Sequence, residues 1–352
     1  MRKLLTVLLI CLPLCFVNAG GNQQAPAKKS GAFKVLLISN LEGDKSFADS
    51  AILGAKKAIQ DFGVEISYSQ SGDPAEYENQ VITGAEEGYD LVVAAASQWQ
   101  DAIEKHCASY PNVMFGITDT NAKGDNVVSV TFAQNQGSFL AGAAAAMFTT
   151  MTQFKNVNPE ATIGWVGGVD IPALRDFFIG YTEGAKYINP NIKILQSFAG
   201  NWYDPLKGKE LTTAMYEQGA DVVMNVASAT GVGILESARE NSRYAIGVDM
   251  NQDGEQPGAI LTSMLKENGQ GVYYIIKKAV EEKKFTDNPR IYMDLQYGGV
   301  DLTDMSTLKG FCNAEQKALL DTILAKIAQI KADIASGKIV VSNYEGYGPN
   351  AK

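Results

Sequence analysis

Two stretches of this 352-residue chain, about 130 positions apart, spell the same elements in the same order. Gly54-Ala55-Lys56 recurs as Gly184-Ala185-Lys186, Asp73-Pro74 as Asp204-Pro205, Gly88-Tyr89-Asp90-Leu91-Val92 as Gly219-Ala220-Asp221-Val222-Val223, and Ala96-Ser97 as Ala227-Ser228. Each block then closes on a lone aspartate, Phe115-Gly116-Ile117-Thr118-Asp119 in one and Ala245-Ile246-Gly247-Val248-Asp249 in the other. A period this long is too large for a solenoid unit and suits a whole lobe. Two similar lobes facing each other make a cleft, and a cleft is where ligands go.

Within each block, short β-branched runs alternate with helix-length amphipathic stretches, the pattern of a parallel sheet covered on both faces. In the first block, Val35–Ser39, Leu91–Ala96 and Val113–Ile117 read as strands, and Ala51, Ala55, Ala58 and Phe62 share one helical face. In the second, strands are expected at 162–166, 192–196, 221–226 and 244–248, with helices at 172–188, 207–218 and 230–240. Asn126–Phe132 and Ala259–Met264 read as linking strands. A helix at 269–282 is expected to return to the first lobe, so that the chain crosses more than once and forms a hinge. Lobe 1 is then 33–132 plus 262–295, and lobe 2 is 133–261 plus 296–346. A last helix, Ala314–Ala335, carries Ile323, Ile327, Ile330 and Ile334 at helical spacing and is expected to pack on one lobe.

The N-terminus reads as an export signal over residues 1–19: Arg2 and Lys3, an apolar run from Leu4 to Val17, and a small-residue cleavage site ending at Ala19. In the alternative, Leu12-Pro13-Leu14-Cys15 resembles a lipoprotein box and Cys15 carries a lipid. Residues 20–32 read as a flexible tether. Beyond them only Cys107 and Cys312 remain, too few for a disulfide framework, with one bridge between them left open. A net charge of −9 with no basic patch argues against nucleic acid. Past the leader, no apolar run reaches the roughly 18 residues of a membrane span; Phe139–Met147 reads as a buried helix.

Ligands of open α/β sheets bind beyond the carboxyl ends of the strands. Asp119 and Asp249 each follow a short apolar strand, so each carboxylate is expected in the cleft, where an acceptor-only group suits vicinal hydroxyls of a sugar or ribose. The turn Gly43-Asp44-Lys45-Ser46-Phe47-Ala48-Asp49 supplies a helix cap, from Asp44 or Ser46, and Phe47 as either core or ligand platform. Trp202 and Tyr203 precede a helix at the same side of the second block, where an exposed aromatic can stack on a flat base. Lys266 offers a donor to the ligand, an ion pair to Asp249, or a solvated charge. Catalytic signals are missing: His106 and Cys107 are helix neighbours that point to different faces, and zinc spacing, a Walker loop and a nucleophile elbow do not occur. Val166-Gly167-Gly168-Val169-Asp170 reads as a tight strand-to-helix turn.

On Gly43-Asp44-Lys45-Ser46-Phe47, Asn126-Val127-Val128-Ser129, the run from Gln134 to Gly142, Asp204-Pro205-Leu206-Lys207-Gly208-Lys209, Thr230-Gly231, Ile246-Gly247-Val248-Asp249 and the run from Leu261 to Lys266, the chain resembles the basic membrane protein family of bacterial solute-binding proteins. Its best known members are purine nucleoside receptors. The resemblance, which covers residues 33 to about 300, implies an α/β, type I periplasmic-binding-protein fold: two doubly wound parallel-sheet lobes joined by a multi-strand hinge. It also implies a receptor that feeds a membrane ABC importer; with the export signal and the missing catalytic signals, the expectation is a periplasmic, monomeric, non-enzymatic protein without cofactor or metal that delivers a purine nucleoside to an ABC permease. Phe47 and Trp202 would sandwich the base, Asp119 and Asp249 would hold the ribose, and Asp44 and Lys266 would complete the pocket beside Tyr203 and Ala48. Ala48 stands where the family commonly has asparagine, and Ser228-Ala229-Thr230-Gly231 where it favours Gly-Gly-Thr-Gly; both departures bear on the identity of the base. A free purine or other small heterocycle is the alternative ligand. An adhesin or signalling protein on the same fold is the alternative of another class.

Overall fold

The duplication becomes two six-stranded sheets with the same strand order. The computed structural model describes residues 31–349, so the leader, Cys15 and nearly all of the tether lie outside the described residues. The first sheet holds β1 (Lys34–Ser39), β2 (Glu65–Gln70), β3 (Leu91–Ala94), β4 (Met114–Thr118), β5 (Val127–Phe132) and the late strand β11 (Arg290–Met293), in the order β11-β5-β4-β3-β1-β2. The second holds β6 (Thr162–Gly167), β7 (Lys193–Phe198), β8 (Val222–Val226), β9 (Tyr244–Asp249), β10 (Ile260–Lys266) and β12 (Val300–Leu302), ordered β12-β10-β9-β8-β6-β7. Every pairing is parallel except β10 with β12.

Helices cover both faces of each sheet, as buried parallel strands require. Side chains of β1 alternate between two separate cores, Val35 and Leu37 facing one and Leu36 and Ile38 the other. In the first lobe α1 (Phe47–Phe62) lies on one side, and α2 (Tyr77–Glu86) and α3 (Gln100–His106) on the other. In the second lobe α4 (Gln134–Phe148) and α5 (Pro172–Ile188) pack together opposite α6 (Pro205–Glu217) and α7 (Gly231–Glu240). Next along the chain, α8 (Asn268–Glu282) packs on α1, and after the short α9 (Ser306–Lys309), α10 (Ala314–Ala335) packs on α4 through its buried isoleucines.

The chain crosses between lobes three times. It passes from β5 in the first sheet to α4 in the second lobe, from β10 in the second sheet to α8 in the first lobe, and from β11 to β12. The expected division between residues 261 and 262 falls inside β10, which stays paired with β9 through Leu265; the change of lobe comes after Lys266. The repeated glycine of Gly-Ala-Lys serves these crossings. A Cβ on Gly54 would lie 2.0 Å from the Gly269 carbonyl oxygen of α8, and one on Gly184 would lie 1.9 Å from the Phe139 carbonyl oxygen of α4. Each crossover helix therefore seats against its new lobe backbone to backbone. Three strands escaped the sequence pattern: β2 is a largely exposed edge strand of polar composition, with no apolar face to announce it, and β11 and β12, of four and three residues, are too short to show an alternation.

Candidate functional site

Asp119 follows β4 and Asp249 ends β9, at equivalent places in the two sheets. Both take the left-handed backbone conformation, at φ 70° and 63°, which aspartate tolerates better than most residues. Both line one cavity of about 330 Å³ between the lobes, together with Phe47, Trp202, Tyr203 and Lys266. That volume lies at the small end of ligand pockets, roughly 300–1,000 Å³.

The two acids meet different surroundings. Lys266 is 2% exposed and places Nζ 2.5 Å from Asp119 Oδ1. It is neither solvated nor paired with Asp249, as two of the sequence expectations had it. Leu265 is the register partner of Asp249, and Lys266, one residue on, leaves the opposite side of the pleat and reaches the first lobe. Three aromatic rings surround its ammonium, Phe177 at 5.0 Å, Phe47 at 5.1 Å and Phe132 at 5.6 Å, which offsets part of the cost of burying the charge. Asp249 instead accepts a hydrogen bond from the Ser46 hydroxyl of the first lobe. Burial pushes its pKa up to about 7, against the pull of Lys266 and Ser46 and helped by the charges of Asp44 and Asp119.

Two residues expected in the pocket stand behind it. Asp44 accepts from the backbone N–H groups of Ser46 (2.9 Å), Ala48 (3.0 Å) and Asp49 (3.1 Å), satisfying the free donors that open α1. The cap is thus Asp44 rather than Ser46. Its other role is between the lobes, where the Ser228 hydroxyl donates to Asp44 Oδ2 at 2.8 Å. Ala48 is 1% exposed inside α1 and, like Asp44, does not line the cavity. The same turn meets the second lobe again where Gln252 Nε2 donates to the Lys45 carbonyl at 2.9 Å and Lys45 pairs with Glu255.

The aromatic loop before α6 is held from both ends. Asp204 caps α6 by accepting from the Lys207 N–H at 3.0 Å. Trp202 lies against Gly168 in the strand-to-helix turn, where a Cβ would come within 2.3 Å of the indole; only glycine leaves room for the ring. Sequence reasoning missed other cavity residues. Asn40 and Gln98 line it, with Gln98 Nε2 donating to Asn40 Oδ1 at 2.5 Å. Asn40 comes directly after β1, and Gln98 a few residues beyond the end of β3, so the strand-end rule pointed there. Phe177 on α5 and Tyr347 in the last segment carried no such signal. His106 is tied to Glu78 at 2.6 Å, and Cys107 and Cys312 are both free, so the bridge left open between them does not form.

Two doubly wound lobes, a hinge of several crossings and a cavity between them define a solute-binding protein of the type I periplasmic-binding-protein fold. The pattern of the family described as ABC transporter substrate-binding protein PnrA-like matches residues 34–343, and the chain belongs to that family. It is 31% identical to the ABC transporter nucleoside-binding protein BmpA of Lactococcus lactis, over 97% of this chain and 99% of that one. It is 28% identical to basic membrane protein A of Borreliella burgdorferi, over 89% and 88%. Among solved structures, an ABC transporter solute-binding protein from Aeropyrum pernix K1 matches with a TM-score of 0.77 and 28% identity, covering 88% of this chain and 94% of that chain. The protein is therefore a substrate-binding component, not an enzyme, of a family that works on the outer side of the cytoplasmic membrane. No helix among the described residues is long and apolar enough to cross a membrane.

Proposed function

We propose that this protein captures a purine nucleoside between its lobes and delivers it, as an exported monomer, to a membrane ABC permease. The observation that carries this reading is the meeting of Asp119 and Asp249 in one cavity with Phe47 from the first lobe and Trp202 from the second. Carboxylates accept from the vicinal hydroxyls of ribose, and the two aromatics suit the faces of a flat base. The side-chain amides of Asn40 and Gln98 both donate and accept, as the edge of a purine requires. The nucleoside-binding name of the Lactococcus lactis relative supports the same ligand class.

Isothermal titration of ligand-stripped protein with adenosine, guanosine, inosine and the free bases tests it. Binding of at least one nucleoside more tightly than its base is expected. Heat with bases alone would move the reading to a free purine, and no heat with any would end it.

A further inference from the structure

The chain's last segment lies outside both repeats, yet it returns to the cleft. It is fastened to the second lobe: the Ser342 N–H donates to Glu183 Oε2 at 3.0 Å, Asn135 Nδ2 donates to the Ser342 carbonyl at 3.0 Å, and the Tyr344 N–H donates to Asp176 Oδ1 at 2.7 Å. A turn closed by the Tyr347 N–H on the Tyr344 carbonyl (3.0 Å), with Gly346 at φ 86°, then directs Tyr347 inward. Tyr347 lines two spaces at once. One is the cavity of Asp119 and Asp249; the other is a neighbouring cavity of about 350 Å³ bordered by Gln100, Thr120, Asn121, Thr131 and Glu345. Among the described residues, only Ser97, Pro172 and Tyr347 border both. Of these, Tyr347 alone is a large side chain on a segment anchored to one lobe.

The Tyr347 hydroxyl has no hydrogen-bond partner among the described residues. Burial, and then the charges of Asp119 and Asp176, push its pKa up, so it stays a neutral donor facing the ligand space. The second cavity offers hydroxyl and amide groups and, in Glu345, one more carboxylate. Such a lining suits neutral polar groups and repels anions.

We infer that Tyr347 is a partition that sets the size limit of the ligand, and that the chamber behind it is a subsite for a neutral, amide- or hydroxyl-bearing extension of a nucleoside. This rests on the nucleoside reading above. While the ring stands between the two spaces, an extended ligand must displace it.

The test titrates the full chain, unchanged and as Tyr347→Ala, Tyr347→Leu and Tyr347→Phe, with adenosine and with adenosine 5′-N-ethylcarboxamide. The unchanged protein is expected to prefer adenosine by about tenfold or more, the cost of an oversized group in a fitted pocket. Tyr347→Ala should narrow that preference by about tenfold, Tyr347→Leu in the same direction, and Tyr347→Phe should leave it unchanged. If Tyr347→Ala melts early, Tyr347→Leu carries the comparison. An unchanged preference in the Ala and Leu variants overturns the inference, as does a Phe variant that behaves like Ala. If guanosine or inosine binds where adenosine does not, that nucleoside and its own 5′-N-ethylcarboxamide take the place of the adenosine pair; failure of the unchanged protein to bind any of the three nucleosides ends the nucleoside reading itself, which separates the two failures.

Discussion

Asp119 and Asp249 occupy the same place in two copies of one design, and they do different work. Both follow a strand with a left-handed backbone and both face the cleft. Asp119 answers a buried lysine delivered by the other lobe, whereas Asp249 has a neutral hydroxyl as its partner and a pKa near 7. Duplication copies positions but not surroundings. The hinge strand β10 gives its lysine to the far lobe, and that single choice of direction makes one acid part of an interlobe ion pair and leaves the other free to take up or release a proton near neutrality.

The sharpest way to break this contrast is Asp119→Ala. It leaves the Lys266 ammonium buried without its partner, which costs about 3–5 kcal/mol of unfolding free energy; denaturant titration at pH 7 should show it, and a loss below about 1 kcal/mol would mean Lys266 finds another acid.

Asp249→Asn should act in the opposite direction. The folded-state pKa of Asp249, about 7, lies above its ordinary 3.8, so folding favours the protonated form and the unliganded protein loses stability as pH rises from about 4 to 7. Asp176 and Asp221, each raised to about 6 chiefly by burial, add to the fall at its lower end. In Asp249→Asn the fall should be smaller and end near pH 6, leaving the variant up to about 4 kcal/mol more stable than its parent at pH 8. Nucleoside affinity of the unchanged protein should rise through pH 7 as the acceptor ionises, and Asp249→Asn should abolish that rise in a titration series.

Trp202→Ala and Phe47→Ala compare the two lobes at the base. Each should cost about 1–3 kcal/mol of nucleoside binding, but Phe47→Ala should also lower the melting temperature, because Phe47 helps enclose the Lys266 charge. Equal melting temperatures for the two variants would remove Phe47 from that role. The smallest effect is expected from Ser228→Ala, which deletes one hydroxyl bond between the lobes and should weaken ligand binding by about 0.5–1.5 kcal/mol at most.

Much of this site is written locally. Apolar strands followed by aspartate, an Asp-Pro opening of α6, and the helical spacing of Ala51, Ala55 and Ala58 all express periodicities a few residues long. Asn40 and Gln98 lie within reach of the same rule, but neither belongs to a repeated motif that would single it out. Asp44 was legible as a cap, yet its place behind the cavity depends on how α1 is seated. Phe177 and Tyr347 could not be found this way: α5 gives no sign of which turn faces the hinge, and the last segment follows a long helix with nothing to mark its return.

From the order of its residues alone, this chain specifies two copies of a doubly wound unit, the strand ends that carry its paired acids, and membership of a substrate-binding family. Tertiary structure decided the partner of Lys266, the proton affinity of Asp249 and the entry of Tyr347 into the cleft. The physical reason is range. Strand and helix patterns are set by neighbours a few positions apart, whereas desolvation and charge pairing depend on groups brought together from more than 140 positions away, as Lys266 and Asp119 are.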